Sequence, residues 1–311
     1  MLQNILWELL FLALYFADFA YACAKAPEIN DKTPDIFGQK LCRLDPASGS
    51  VTSTYIENGP TGVAIPVQDE SDKFVAGSGT DFVLVTWDSG LNQAKAPTRV
   101  LATVDKNRNG TRWNDGKIDS SGRFWGGTMG PETNGNAVPD QGTLYFIGSD
   151  FVPKVKISPV TISNGLAWNK EDNTFYYIDS PTRQVVAYDY DRLSENISNK
   201  RIVFDLAKNN ITGVPDGMTI DTDGNLWIAV YSGSCVLNVN PHTRKLLRKI
   251  EMPVERVTSV TFGGSLLNIL YVTTSKYGLS KTELKNQPQA GSLFAVEGLN
   301  VNGLLANSFK L

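Results

Sequence analysis

A single histidine, His242, is all the imidazole in this 311-residue chain. Most zinc sites and every Ser-His-Asp hydrolase need at least one well-placed imidazole. His242 falls in the turn NPHTRK and reads as an exposed turn residue. Cysteine is equally scarce: Cys23, Cys42 and Cys235 show no CxxC spacing, which excludes a zinc knuckle. Cys42 and Cys235 lie in apparent strands of different repeats and read as buried thiols. Basic clusters are missing too. The net charge is -3 and the pI about 5.4, which argues against a nucleic-acid partner. The densest basic run, RKLLRK at 244–249, reads as a solvated strand edge that the charges protect from pairing. No long helical periodicity follows residue 25. A metal bound here must be held by oxygen, which favours Ca2+, Mg2+ or Mn2+.

What the chain does have is a repeated polar-Gly tip. Asn114-Asp115-Gly116, Asn164-Gly165 and Asp216-Gly217 each open a similar strand pair: WNDGKIDSSGRFWGGTM, SNGLAWNKEDNTFYYIDS and PDGMTIDTDGNLWIAVY. Each runs from a polar tip through an apolar strand and a Gly/Asn/Asp turn to an aromatic-rich strand. The spacing of about 50 residues is that of a propeller blade. Weaker copies place Thr61 (PTGVAIPVQ) and Thr258 (TSVTFGG) in the same register. Second hairpins such as GTLYFIGSDFVPKV and GSCVLNVNPHTRKLLRKI lie between them, giving two hairpins per blade. With GQKLCRLDP as the outer half of an earlier unit, the count predicts an all-β, six-bladed β-propeller with an atypical or incomplete first blade. A pair of β-sandwiches or a different blade number is the competing reading. Residues 25–311 are expected to form a single domain.

Residues 5–22, ILWELLFLALYFADFAYA, are nearly all apolar. Ala20-Tyr21-Ala22 and Ala22-Cys23-Ala24 resemble small-residue cleavage sites, so residues 1–24 read as a secretory signal peptide. Glu8 and Asp18 interrupt the run and place a membrane anchor lower. An altered first blade is the third reading. Sequons at Asn109, Asn196 and Asn210 accord with secretion, although such triplets arise often by chance.

The motifs TRWNDGKIDSSGRFWGGTM, ISNGLAW with FYYIDS, VPDGMTIDTDGNLWIAVY and TSVTFGG with LYVTT occur in order over residues 36–311. Together they resemble the senescence-marker-protein/gluconolactonase/luciferin-regenerating-enzyme family. The resemblance implies a six-bladed propeller with one divalent cation in its channel. Ca2+ comes first, with Zn2+, Mg2+ and Mn2+ as alternatives. It also implies hydrolysis of a lactone or ester at that cation. By motif position, Asn164 and Asp216 are implied as metal ligands, with Asp216 also the catalytic base. Arg112, Asn114 and Glu132 are implied as substrate-binding groups. The family's further glutamate ligand, in a GEGPxWD motif, has no counterpart here. An ungapped alignment puts Gln3 at its place, and Glu28 lies too close to Asp35.

The residue types suit this chemistry. A hard cation polarises a carbonyl and acidifies water. A carboxylate at the cation can take the proton. A planar guanidinium offers a donor fork that lysine cannot copy. Asn114 and Asn164 also have a plainer reading as turn-forming Asn before Gly, and Asp115, Asp119, Asp179 and Asp221 read as structural carboxylates of turns and strand ends. The expected function is a metal-dependent lactonase or esterase. The alternative is a non-catalytic calcium-binding regulator or secreted binding propeller. The expected partner is a small-molecule lactone or ester, with no nucleic acid, no stable membrane association and a monomeric state. Secretion is favoured, and a cytoplasmic location is the alternative that the relatives imply.

Overall fold

Short apolar stretches punctuated by turns give short antiparallel strands throughout the computed structural model. It describes residues 35–45, 48–133 and 135–311. The segment read as a signal peptide, with Gln3, Cys23 and Glu28, lies outside the described residues. A helical turn α1 (Asp35–Gly38) precedes the hairpin of β1 (Lys40–Leu44) and β2 (Val51–Tyr55). The first four-stranded sheet is β3 (Thr61–Pro66), β4 (Lys73–Ser78), β5 (Asp81–Thr86) and β6 (Thr98–Thr103). The second begins with β7 (Arg112–Ile118) and β8 (Phe124–Met129). A small excursion follows, β9 (Glu132–Thr133) paired with β10 (Asn136–Ala137), before β11 (Gly142–Ile147) and β12 (Lys154–Val160) complete the sheet.

Sheets three and four have the same order. They are β13 (Ser163–Trp168), β14 (Thr174–Asp179), β15 (Gln184–Asp191) and β16 (Asn196–Asp205), then β17 (Val214–Ile220), β18 (Leu226–Tyr231), β19 (Cys235–Asn240) and β20 (Lys245–Glu251). The last sheet has three strands, β21 (Val257–Gly263), β22 (Ile269–Thr274) and β23 (Leu293–Val296), with helix α2 (Lys281–Asn286) between the second and third. This is an all-β propeller. Among the described residues it has five blades, which corrects the expected six. Among the described residues the hairpin counted as half a blade is a two-stranded sheet packed beside β3, with one isolated bridge from Thr54 to Gln93 and no further strand. Among the described residues no helix is long and apolar enough to cross a membrane.

Buried aspartates fasten the blades locally. Asp119 Oδ1 accepts from the backbone N–H of Ser121 (2.9 Å) and Arg123 (3.0 Å), closing the turn between β7 and β8. Its Oδ2 accepts from Trp125 Nε1 (3.2 Å). Asp221 repeats the device with Asp223 and Asn225 N–H groups and with Trp227 Nε1 at 2.9 Å. Trp125 and Trp227 are fully buried, so each blade hangs a large apolar ring from a satisfied carboxylate. Asp179 accepts from the N–H of Thr161 and Ile162. All three therefore keep the structural roles read from the sequence. RKLLRK falls on the outer strand β20, and His242 is exposed in its turn. Cys235 is a buried free thiol as expected, but Cys42 is disulfide-bonded, which corrects its reading as a thiol.

The inner strands β3, β7, β13, β17 and β21 are neighbours in that order around the channel. Each slips register against its second strand at the recurrent polar position: Thr61/Val63, Trp113/Asp115, Asn164/Leu166, Pro215/Met218 and Val257/Ser259. A bulge leaves a residue unpaired and re-aims its side chain. The polar-Gly pairs are thus bulges inside strands rather than turns. Their glycines serve close approach: a Cβ on Gly62 would lie 2.4 Å from Trp113 O, and one on Gly217 would lie 2.1 Å from Ser259 Oγ. Adjacent strands meet backbone to backbone there. At the far ends of the same strands, the C-terminal segment crosses the channel. Leu304 N donates to Ile220 O (3.5 Å), Asn307 Nδ2 to Ile118 O (3.2 Å) and Phe309 N to Pro66 O (2.9 Å).

Candidate functional site

The bulges of β7, β13 and β17 bring their polar side chains to one mouth of the channel. Asn114 Nδ2 donates to Asn164 Oδ1 (3.2 Å) and to Ser163 O (2.9 Å), tying two blades together. Asn164 Nδ2 donates to Ser180 Oγ (2.7 Å), which itself donates to Pro215 O (2.7 Å) beside Asp216. Ser180 is buried and spans two blades. It stands outside the repeat register, so nothing in the sequence marks it.

Arg112 completes the constellation. Its Nη1 donates to Asn114 Oδ1 (3.0 Å) and Trp113 O (3.1 Å), and its Nη2 lies 3.6 Å from Glu132 Oε1. Burial pulls the Arg112 pKa down, against the charges of Glu132, Tyr277 and Asp216. Glu132 reaches the site from the β9 excursion and stays largely exposed. The Arg112 guanidinium lies 5.6 Å from the centre of the Phe37 ring, and that ring lies 5.0 Å from Tyr277. Phe37 and Tyr277 are 41% and 44% exposed, so they form an aromatic rim at the mouth. Both come from non-repeating segments, and sequence reasoning missed them.

Asp216 keeps some surface toward the channel yet is enclosed by protein. Burial pushes its carboxyl well above the usual carboxylate range. The charge of Asp115 pushes the same way, and the Gly217 N–H and Arg112 push back. Asp115 is 6% exposed and lines the channel wall. That corrects its reading as a plain strand-end carboxylate. The structure thus brings together all five sequence-predicted residues, Arg112, Asn114, Glu132, Asn164 and Asp216. Thr61 and Thr258 share the register but contribute little, since their hydroxyls bond to Ser78 Oγ (3.0 Å) and Thr273 Oγ1 (2.8 Å).

The donor set fits a hard cation by type. Two enclosed carboxylates, Asp216 and Asp115, repel each other, and the Asn164 amide oxygen has a second lone pair to give. Asn164 and Asp216 could hold the ion, with water filling further positions. Among the described residues, no group of three or more His, Cys, Asp or Glu side chains is placed to hold a metal.

Comparison with known proteins agrees with this architecture. The profile of the SMP-30/gluconolactonase/LRE-like region matches residues 33–276. Regucalcin of Oryctolagus cuniculus is 40% identical over 276 residues, covering 88% of this chain and 89% of its own. Regucalcin of Homo sapiens is 38% identical over the same coverage. Among solved structures, a luciferin-regenerating enzyme superposes with a TM-score of 0.84 at 31% identity, over 94% of this chain and 97% of its own. A calcium-binding regucalcin of Agrobacterium tumefaciens gives 0.79 at 22% identity, over 89% and 88%, and supports the fold alone.

Proposed function

The chain belongs to the SMP-30/gluconolactonase/LRE-like family, and from that premise we propose that it hydrolyses small lactones or esters at the polar mouth of its channel. The observation that carries this reading is the convergence of Arg112, Asn114, Glu132 and Asn164 at one mouth of the channel, with Asp216 beside them. An enclosed carboxylate next to a fixed cationic side chain is a suitable general base, and a cation bound there would favour its ionised form. A divalent cation held by Asn164 and Asp216 would supply Lewis acidity and a more acidic water. Ca2+ is the first choice, ahead of Mg2+, Mn2+ and Zn2+.

In this reading Asp216 takes a proton from water as the water oxygen adds to the carbonyl carbon. The ring C–O bond then breaks, and the departing alkoxide recovers the proton, leaving a hydroxy acid. Arg112 presents planar donors to substrate oxygens, and Glu132 accepts from a substrate hydroxyl. Asn114 holds the Arg112 fork and the Asn164 amide in a fixed relation.

A second reading draws on the same site. With fewer than three acidic or histidine ligands among the described residues, the chain would serve as a non-catalytic calcium-binding or ligand-binding relative. One experiment separates the two: bound metal and turnover of a lactone panel, measured on the same preparation. Hydrolysis that follows added cation supports the enzyme. Stoichiometric Ca2+ without turnover supports the regulator, and neither metal nor turnover sinks both. Secretion is part of the proposal, supported by sequon asparagines that are all exposed. Protein retained in the cytosol of a secretory cell, starting at Met1, would refute it.

A further inference from the structure

Beyond the bulges the channel widens into a cavity of about 840 Å3. It lies toward the C-terminal ends of the inner strands, away from Asn114, Asn164 and Asp216. Its walls are mainly apolar, with Val63, Ile65, Leu166, Met218, Ile220 and Leu304 among them. Its size falls within the range of small-molecule sites. Nothing in the proposed hydrolysis uses it.

Of the charged side chains on this wall, Asp69, Asp115, Lys117, Lys170 and Asp172, Lys117 has N–H donors to spare deep in the channel. Lys117 lies in β7, three residues beyond Asn114, and its Nζ donates to Met218 O at 2.9 Å. An ammonium has three N–H donors. The bond to Met218 is the one hydrogen bond Lys117 makes among the described residues, so two donors are left for an acceptor in the cavity. Lys117 is half-buried and lines that space. Burial lowers its pKa to about 8, with Asp115 opposing. Asp69, Asp115 and Asp172 share the wall with Lys117 and Lys170, so the lysine charges are offset and a further anion gains little. A neutral acceptor on an apolar body is what the walls and the donors favour together.

The cavity also has a way in. The C-terminal segment spans its outer end, fastened at Leu304 and Phe309, while Leu305 between them is 56% exposed and still lines the cavity. An exposed leucine at the rim of an apolar cavity suits the tail of an apolar ligand.

We propose that this lower cavity is a second ligand site, distinct from the polar mouth, which takes a neutral, largely apolar molecule with its carbonyl oxygen on Lys117 Nζ. The site binds such a molecule without covalent change and does not depend on hydrolysis at the other end.

The test is calorimetric titration of the full chain with methyl heptyl ketone. Saturable binding at one equivalent is expected, weakened by about tenfold in Lys117→Met, which removes a charged donor. Leu305→Glu, at an exposed position that the fold tolerates, should weaken binding as well. Excess gluconolactone should leave the isotherm unchanged. The proposal fails if the ketone shows no saturable binding up to its solubility. It fails equally if both folded variants bind as the wild type does, or if gluconolactone competes, which would put the ketone at the polar mouth. Should Lys117→Met not fold, Leu305→Glu and the competition still decide.

Discussion

The two ends of the channel are made from the same five strands, yet one mouth gathers amides, carboxylates and a guanidinium while the other encloses leucine, isoleucine and valine. The change happens within three or four residues. In β13, Asn164 meets Asn114 at one end, and Leu166 lines the cavity after the register slip. In β17, Asp216 and Met218 stand in the same relation. At the slip the strand departs from strict alternation and the polar side chain turns inward, and after it ordinary alternation resumes. A bulge is therefore a boundary between two chemistries, and the glycine beside it lets the strands close around that boundary. The two ends of one channel differ in chemistry for this reason.

The strongest way to break the comparison is at Asp216. Asp216→Asn keeps the shape and removes the base, so lactone turnover should fall by about a thousandfold. Metal binding, followed by equilibrium dialysis, should drop sharply too, and more than in Asn164→Ala, which removes a neutral ligand. Ketone binding at the other end should persist. Retained turnover would remove Asp216 from the chemistry.

Next in size is the boundary itself. Gly62→Ala places a Cβ 2.4 Å from Trp113 O and 2.6 Å from Asn114 O, both backbone atoms that cannot step aside. Urea unfolding should show a loss of about 3 kcal/mol. Gly224→Ala, in an open turn at φ +80, should lose only about 1 kcal/mol from backbone strain. Equal losses would mean that close strand approach at the bulge is not what the glycine provides.

The lower end is tested by pH. Because the folded pKa of Lys117 is lowered to about 8 from 10.5, the folded chain disfavours the charged amine. Between those values the unfolded chain holds a proton that the folded chain has released, so stability rises with pH across that window. Lys117→Met should then be more stable than wild type below pH 8, by on the order of 2 kcal/mol. That advantage should shrink as pH climbs toward 10.5, measured as the difference between two urea midpoints. A constant difference across the window would place Lys117 in a hydrated setting.

The smallest effect sharpens the roles at the polar mouth. Arg112→Ala should lower kcat/KM by about tenfold, with bound metal per chain unchanged. Arg112→Lys should not restore activity, since an ammonium lacks the planar fork. Loss of metal in Arg112→Ala would show that the guanidinium orders the cation ligands rather than the substrate.

Much of this was legible in the chain. The period of polar-Gly tips marked the inner strands, and all five residues singled out from the motifs meet at one mouth. The repeated Asp119 and Asp221 were read correctly as structural. The blade count was not legible, because a hairpin motif such as GQKLCRLDP looks the same whether or not further strands pair with it. Asp115 was misread because its neighbours Asn114 and Gly116 suggest a turn, whereas the β7 bulge turns it onto the channel wall.

Sequence by itself determined the all-β repeat, the scarcity of imidazole and thiol, and the set of polar residues on one strand position. Periodicity and residue chemistry are local, so they survive in one dimension. Only the tertiary structure decided the rest. Ser180 became a bridge between blades, Phe37 and Tyr277 became a rim, Asp115 came to raise Asp216, and Lys117 came to face an apolar cavity. Each depends on groups far apart in the chain meeting where water is scarce, and burial and charge proximity are properties of that meeting, not of any residue alone.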